Sequence, residues 1–231
     1  MSNIAIIPVR AGSTRVKKKN FVDFFGKPLF LYTYEHALNS NLFDRIVIST
    51  ESTEVLELCK SHGISIDYVR PDKLSDGDVS LDDVCEDVLI FFEKNGESYR
   101  NICLLWATSP MRDSMDMINA YKKLNDNYSS SDCVVAVTHY PLSPYCAMVQ
   151  DEHNFLTPIM PDEFWKGSHA WPETLVDCGS MSWVKTETFR KEKSWLPKRS
   201  LPYRLPRYKA VDVDLPEDLE LLRMYFEKYN K

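Results

Sequence analysis

The chain lacks the sequence signatures of exported, membrane-spanning and metal-stapled proteins. No apolar run approaches the ~20 residues that a membrane-spanning helix needs. The first residues show no basic stretch followed by an apolar one, so we expect no signal peptide. The six cysteines form no CxxC pair and have no zinc-type spacing with the five histidines. These absences predict a reduced, cytoplasmic protein without a structural zinc site.

An excess of positive charge is absent too. The 28 Lys and Arg residues are outnumbered by 34 Asp and Glu residues, which gives a formal net charge of -6. General nucleic-acid and acidic-membrane binders need a net basic surface to displace counterions, so we expect neither partner. Any anion site has to be built locally from a few cationic side chains.

Two well-known phosphate-binding motifs, GxxxxGK(S/T) and GxGxxG, are also missing. What is present is a chain of 231 residues, 44% of them hydrophobic, which is enough to bury one full core. No internal repeat or low-complexity tract divides it. We therefore predict a single domain over residues 1–231.

Short apolar runs alternate with segments of helical period through the first part of the chain. The predicted strands are Ile4–Val9, Arg45–Ser49, Ile64–Val69, Ile102–Trp106 and Cys133–Val137, followed by later strands at Asp177–Val184 and Tyr208–Val213. Near-continuous apolar runs are typical of parallel strands that helices cover on both faces. The pattern predicts an α/β, Rossmann-like, three-layer α/β/α fold with a predominantly parallel sheet.

Residues 139–176 break this pattern. Prolines, aromatic residues and polar residues mix there without a clear period. Long irregular insertions in compact domains usually have a function, and exposed apolar surface has to be covered. We therefore predict a protruding arm that packs against a second copy of the chain to form a homodimer and that borders the substrate.

The segment from Pro8 to Asn20 carries the strongest local signal. It follows the first predicted strand, contains Gly12 in a small-residue turn, and holds five cationic side chains. Backbone N–H groups in such a turn can approach an anion, and ligands of open α/β sheets bind beyond the carboxyl ends of the strands. The segment predicts a triphosphate site; a solvated surface run of Lys17–Lys19 is the alternative.

Several sequence blocks lie in the order found in one enzyme family. They are Arg10-Ala11-Gly12-Ser13 with Lys19-Asn20, Phe24–Leu29, Leu42–Thr50, Arg70-Pro71, Thr108–Arg112 and Val211–Asp218. In these blocks the chain resembles the acylneuraminate (nonulosonic acid) cytidylyltransferases. The resemblance implies the nucleotidyltransferase version of the fold and a reaction that transfers CMP from CTP to the anomeric hydroxyl of a nonulosonic acid, with release of pyrophosphate.

The resemblance also implies residue roles. It assigns the nucleotide to Arg10, Ala11, Gly12, Ser13, Lys19, Asn20, Arg70 and Ser80, a Mg²⁺ ion to Asp212 and Asp214, and catalysis to Arg10, Lys19, Asp212 and Asp214. The chemistry agrees for the two aspartates, because side chains two apart on an extended segment share a face and Mg²⁺ prefers hard oxygen ligands.

Three of these residues have structural alternatives. Asp214 and Glu217 are spaced as a helix capping box, whereas Asp212 has no capping role. Ser80 is also placed to cap a helix, and an arginine such as Arg70 is most often a surface residue.

The predicted acceptor contacts are Trp106, Thr108, Ser109, Asp177 and Ser180. Many sialic-acid enzymes have Gln-Pro where this chain has Trp106-Ala107, which removes an amide that could bind a sugar hydroxyl. Asp177–Trp183 is similar to a segment of pseudaminic acid cytidylyltransferases, which favours a modified nonulosonic acid. The alternatives are a Kdo or other sugar nucleotidyltransferase, and a nucleotide-binding protein of this fold without catalysis.

Overall fold

The computed structural model describes residues 2–12, 16–76, 78–140 and 142–229. The strands are β1 (Asn3–Pro8), β2 (Asp23–Phe24), β3 (Lys27–Pro28), β4 (Arg45–Ser49), β5 (Asn101–Leu105), β6 (Cys133–His139), β7 (Met148–Gln150), β8 (Leu156–Pro158), β9 (Leu175–Lys185) and β10 (Ser200–Arg204). The helices are α1 (Leu29–Ser40), α2 (Thr53–Ser61), α3 (Leu81–Lys94), α4 (Ser114–Asp126), α5 (Pro161–Phe164), α6 (Thr186–Glu192) and α7 (Pro216–Tyr229).

A six-stranded sheet with the order β10-β6-β9-β5-β1-β4 forms the centre of the fold. All of its strands run parallel except β9, which is antiparallel to both of its neighbours. Helices α1, α2 and α4 pack on one face, and α3 and α6 pack on the other. This arrangement confirms the predicted three-layer α/β/α fold with a mostly parallel sheet.

Strand β1 shows how the sequence builds both halves of the core. Ile4 and Ile6 pack on the α3 side, whereas Ala5 and Ile7 pack on the α1 and α4 side, and all four are completely buried. Alternate side chains of a strand point to opposite faces, so a strand covered on both sides needs an apolar residue at every position. Each large buried side chain contributes about 1.5–3 kcal/mol.

Two strand predictions are wrong. Residues 64–69 run beside β4 without forming a ladder, and the segment ends where the Arg70 N–H donates to the Thr50 carbonyl at 2.9 Å. The predicted strand Tyr208–Val213 instead begins inside a 3-10 turn, Arg207–Lys209, and continues as irregular backbone. The last strand in the chain is β10, and its Pro202 interrupts the apolar pattern that predicts a strand. Proline is tolerated there because β10 is an edge strand.

The described part of residues 139–176 forms a small two-stranded hairpin of β7 and β8, followed by α5 and a 3-10 turn. Several of its apolar side chains are exposed: Leu142 is 78% exposed, Phe155 68% and Trp165 80%. That this segment packs against a second copy of the chain stays a prediction. Among the described residues, no helix is long and apolar enough to cross a membrane.

Candidate active site

A cleft of about 390 Å³ opens at the carboxyl edge of the sheet. It lies between the loop that follows β1 and the loop that follows β5. These two strands are neighbours at the topological switch point of the sheet, where the strand order reverses. Its lining residues are Pro8, Arg10, Lys19, Asn20, Arg70, Leu74, Asp76, Val79, Leu81, Val84, Trp106, Ala107, Thr108, Asp212 and Asp214. Eight of the predicted site residues therefore share one cleft.

The cationic turn after β1 separates two neighbouring lysines. Lys18 adopts a left-handed conformation with φ of 55° and points away from the cleft, where its Nζ pairs with Glu54 at 2.5 Å. Lys19 turns inward, and its Nζ donates to the Val213 carbonyl at 2.9 Å and to Asp214 Oδ1 at 2.7 Å. The solvated-surface alternative thus describes Lys18 and not Lys19.

The rest of this loop is held by two contacts. The buried Asn20 donates from Nδ2 to the Arg10 carbonyl at 2.8 Å, and the Ala11 N–H donates to Glu51 Oε1 at 3.0 Å. Gly12 is exposed and does not line the cleft. The predicted phosphate contact Ser13 lies outside the described residues.

Arg70 is not a surface residue, because only 4% of it is exposed. Its Nε donates to Ser49 Oγ at 3.1 Å and its Nη2 donates to the Ser49 carbonyl at 2.6 Å. Burial lowers the pKa of the guanidinium, and the Glu51 carboxylate, 3.7 Å from Nη1, opposes that shift. Arg70 therefore forms a fixed wall of the cleft.

Ser80 is exposed and caps α3, since its hydroxyl oxygen accepts the Asp83 N–H at 3.1 Å. Its neighbours Val79 and Leu81 line the cleft, whereas Ser80 does not. The capping alternative accounts for its contacts.

Asp212 is the most unusual acidic residue of the cleft. Its Oδ1 is buried without a hydrogen-bond partner among the described residues. Burial raises the pKa of this carboxyl, whereas the Thr108 hydroxyl and Lys19 oppose the rise. Gly179 has φ of +54° and lies so close that a Cβ there would be 2.6 Å from Asp212 Oδ2, so glycine is required at that position.

The two aspartates fit a divalent cation. The Asp212 Oδ1 has no hydrogen-bond partner in the described part of the chain, and the Asp214 carboxylate lies in the same cleft. Within the described parts of the chain, no group of three or more His, Cys, Asp or Glu residues could hold a metal ion. A two-carboxylate set suits Mg²⁺, which takes its remaining ligands from phosphate and water.

A second cleft of about 380 Å³ meets the first at Asp212 and Asp214. Its other lining residues are Thr138, His139, Val176, Asp177, Cys178, Gly179, Arg207, Ala210, Val211, Asp218, Leu221 and Tyr225. The structure thus places the two aspartates where a ligand in one cleft would meet a ligand in the other.

The predicted acceptor contacts divide into two groups. Trp106 and Thr108 line the first cleft and Asp177 lines the second. Ser109 and Ser180 are completely buried and line neither cleft. The Ser109 hydroxyl has no partner among the described residues, and the Ser180 hydroxyl oxygen accepts from Arg112 at 3.2 Å.

Sequence reasoning missed Glu51 and Arg207. Glu51 comes directly after β4, at the carboxyl edge of the sheet, and contacts both the Ala11 N–H and Arg70. Its position was a usable signal, since loops after parallel strands meet at one edge. Arg207 had no comparable signal, because its segment was interpreted as leading into a strand.

The fold and the cation-lined cleft at the carboxyl edge define the class as an α/β protein with a candidate nucleotide site. A sequence model of the cytidylyltransferase family matches residues 4–149. Because this match spans more than half of the chain, the chain belongs to the cytidylyltransferase family. It is therefore a nucleotidyltransferase, as the sequence blocks predicted.

Similar proteins span nearly the whole chain. A pseudaminic acid cytidylyltransferase of Campylobacter jejuni is 29% identical over 98% of this chain and 97% of its own. An N-acylneuraminate cytidylyltransferase of Streptococcus agalactiae is 29% identical over 94% of this chain and 52% of its own. The structure of a CMP:2-keto-3-deoxy-manno-octonic acid synthetase complexed with CTP superposes with a TM-score of 0.71 at 16% identity, over 99% of both chains, which shows a shared fold.

Proposed function

We propose that this cytidylyltransferase transfers CMP from CTP to the anomeric hydroxyl of a nonulosonic acid and releases pyrophosphate. The observation that carries the proposal is the meeting of two clefts at Asp212 and Asp214. A reaction between two substrates needs their reacting atoms held side by side. A pseudaminic acid is the first candidate, because the Campylobacter jejuni relative aligns with 98% of this chain.

CTP occupies the first cleft in this proposal. Arg10 and Lys19 face its phosphates, and their charge offsets the negative charge that develops as pyrophosphate leaves. Arg70 lies along the nucleoside with its guanidinium already ordered by Ser49. An ordered side chain loses little entropy when the ligand binds.

The acceptor occupies the second cleft. A nonulosonic acid carries a carboxylate on the carbon that bears its anomeric hydroxyl, so it must bring a negative charge beside Asp212 and Asp214. Arg207 is the one Lys or Arg among the described residues that line this cleft. It pairs with the carboxylate of the acid, a contact that arginine makes with two parallel hydrogen bonds. We expect Asp177, which lines this cleft, to accept hydrogen bonds from hydroxyl groups of the sugar.

Asp212 and Asp214 hold Mg²⁺ in this proposal, and Lys19 moves from the Asp214 carboxylate toward phosphate when the nucleotide binds. When bound, the ion would neutralise phosphate charge and align the α-phosphorus with the attacking hydroxyl. The hydroxyl oxygen bonds to the α-phosphorus and gives its proton to a carboxylate of the cleft, as the bond to the leaving pyrophosphate oxygen breaks.

The assembly that we propose is a cytoplasmic homodimer. The six cysteines are free thiols, in keeping with a reducing compartment. The arm exposes Leu142, Phe155 and Trp165 to solvent, a surface that a second subunit would cover.

The test is pyrophosphate release from CTP, measured with pseudaminic, legionaminic, N-acetylneuraminic and Kdo acids, and then with the other three nucleoside triphosphates. We expect CTP to be required and a nonulosonic acid to give the highest kcat/KM. Highest activity with Kdo would show that the proposed acceptor is wrong, and preference for another triphosphate would show that the proposed nucleotide is wrong. No release with any pair would leave the non-catalytic alternative.

Asp212→Asn tests the metal assignment within the same assay. We expect pyrophosphate release to fall by a factor of about 100–1,000. An amide oxygen is a weaker cation ligand than a carboxylate, so the negative charge of the phosphates in the transition state would no longer be neutralised by the cation. Asp126→Asn is the matched control, since Asp126 lies on α4, pairs with the exposed Lys122 and does not line the first cleft. Full activity of Asp212→Asn would overturn the assignment.

A further inference from the structure

Arg112 is the largest completely buried charged side chain among the described residues, and the proposed reaction does not use it. It is completely buried. The Asp116 and Asp113 carboxylates attract its charge, but its hydrogen bonds among the described residues go to the neutral oxygens of Ser180 and Thr33. Burial lowers its pKa to about 10. Its Nε has no hydrogen-bond partner among the described residues. Burying a charge costs stability unless hydrogen bonds and opposite charges compensate for it, and the Nε donor of Arg112 has no such hydrogen bond among the described residues.

The guanidinium binds neutral oxygens from two separate elements. Nη1 donates to the Ser180 carbonyl of β9 and, at 3.2 Å, to the Ser180 hydroxyl. Nη2 donates to Thr33 Oγ1 of α1 at 3.1 Å. Arg112 therefore joins α1 to the sheet at the height of the active-site loop.

Both of these partners also bind the backbone of Trp106, the first residue after β5. The Trp106 N–H donates to the Ser180 carbonyl at 3.1 Å, and the Thr33 hydroxyl donates to the Trp106 carbonyl at 3.2 Å. Arg112 thus holds the two groups that fix the backbone of Trp106 on both sides.

The loop that begins at Trp106 carries Thr108, which touches the proposed metal site. The Val213 N–H, between Asp212 and Asp214, donates to the Thr108 carbonyl at 3.1 Å. The Thr108 side chain also interacts with the Asp212 carboxylate. A continuous set of contacts leads from Arg112 through Trp106 and Thr108 to the two aspartates.

We propose that Arg112 is a positioning residue, which sets the loop 106–112 and through it the placement of Asp212 relative to the substrates. The proposal rests on the proposed function for its catalytic effect. A planar fork with several donors can hold Ser180 and Thr33 together in fixed geometry, which the single ammonium of a lysine cannot do.

Arg112→Lys, Thr108→Val and the double variant form the test. We expect Arg112→Lys to lower kcat/KM by about tenfold or more in the native background and by less than about threefold when Thr108→Val is present, because residues acting through one contact are not additive. Equal factors in both backgrounds, or no loss from Arg112→Lys, would overturn the proposal, since a purely structural role gives independent effects.

Thr33→Val is the second variant, because it removes one hydroxyl and keeps the buried arginine. It should reproduce the same non-additivity with Thr108→Val if Arg112→Lys fails to fold. Ser40→Ala is the matched control: Ser40 is another buried hydroxyl of α1, and it bonds to the carbonyl of Ala37. We expect Ser40→Ala to leave kcat/KM unchanged, and an equal loss from it would assign the Thr33→Val effect to helix packing.

Hydrogen exchange separates this proposal from the proposed function. Arg112→Lys should speed exchange of the Trp106 and Val213 amides, both of which belong to the contact set. Unchanged exchange at both amides would overturn the positioning proposal even in an active enzyme. If the native protein releases no pyrophosphate from CTP, the proposed function fails, while the exchange result still decides whether Arg112 holds the loop.

Discussion

Lys18 and Lys19 show how one backbone conformation separates two identical side chains. The left-handed φ of 55° at Lys18 turns the chain so that Lys18 pairs with Glu54 outside the cleft and Lys19 pairs with Asp214 inside it. The side chain of Lys18 is 45% exposed and that of Lys19 is 18% exposed. The sequence position of a lysine in this turn therefore does not show whether its side chain enters the cleft.

This contrast gives a paired prediction. Lys19→Met should lower kcat/KM for CTP by a factor of about 100, because a charge in a partly desolvated site stabilises the leaving phosphates strongly. Lys18→Met should change kcat/KM by no more than about twofold, because exposed ion pairs contribute little. Initial rates of pyrophosphate release check both. Similar losses from the two variants would mean that the turn acts through its overall charge.

Part of the site could be predicted from individual residues. Arg10 and Lys19 lie in the loop after β1, and the rule that ligands bind beyond the carboxyl ends of parallel strands places this loop at the cleft. Asp212 belongs to a chain-distant segment. The burial of Arg70 could not be predicted, because arginine is usually exposed and its partner Ser49 lies in another segment. Tertiary contacts decide such cases.

At the scale of elements, the predicted strands agree with the structure where both faces are covered. Strand β1 carries an unbroken apolar run because helices cover it on two sides. Strand β10 was missed because it is an edge strand containing Pro202, and residues 64–69 were mistaken for a strand because an apolar segment beside β4 has the same composition. An apolar composition indicates that a segment is buried, but a strand is defined by its hydrogen bonds to a neighbouring strand.

The hairpin of β7 and β8 is the element on which the dimer prediction depends. Val149 of β7 and Leu156 of β8 are 53% and 62% exposed. If they pack against a second subunit, Val149→Asp should convert a dimer into a monomer in sedimentation velocity at micromolar concentration, because burying an unpaired carboxylate costs several kcal/mol.

Met224→Asp on α7 is the control for that experiment, because Met224 is 68% exposed and lies outside the arm. The control variant should sediment like the native protein. A native protein that is monomeric at these concentrations would contradict the dimer prediction. Dissociation by Met224→Asp alone would move the interface to α7.

At the scale of the whole molecule, the proposed chemistry and a major electrostatic clamp lie at opposite edges of the sheet. The clefts open where the parallel strands end, whereas Asp132 precedes β6 at the amino edge. Asp132 binds Lys185 of β9 at 3.0 Å and Arg199, just before β10, at 2.6 Å. It therefore ties three neighbouring strands together at the edge away from the site.

This clamp predicts an acid-sensitive component of stability that is separate from catalysis. Hydrogen bonds from Arg199 and Lys185 hold the pKa of Asp132 well below its usual range. An aspartate in the unfolded chain has a pKa of about 3.9, so the stabilisation is fully present above about pH 5 and declines as the pH falls through about 4 and below. Asp132→Asn should cost about 2 kcal/mol at pH 7, because charge-assisted hydrogen bonds are lost.

Urea unfolding at several pH values from neutral to acid checks this prediction. The native protein should lose free energy of unfolding more steeply than Asp132→Asn as the pH falls, so that the two curves converge in acid. At pH 7 the folded variant should keep the native kcat/KM, since Asp132 lies at the amino edge. Curves that stay parallel would show that Asp132 titrates alike in the folded and unfolded chains, and a lower kcat/KM would show that the two edges are coupled through β9.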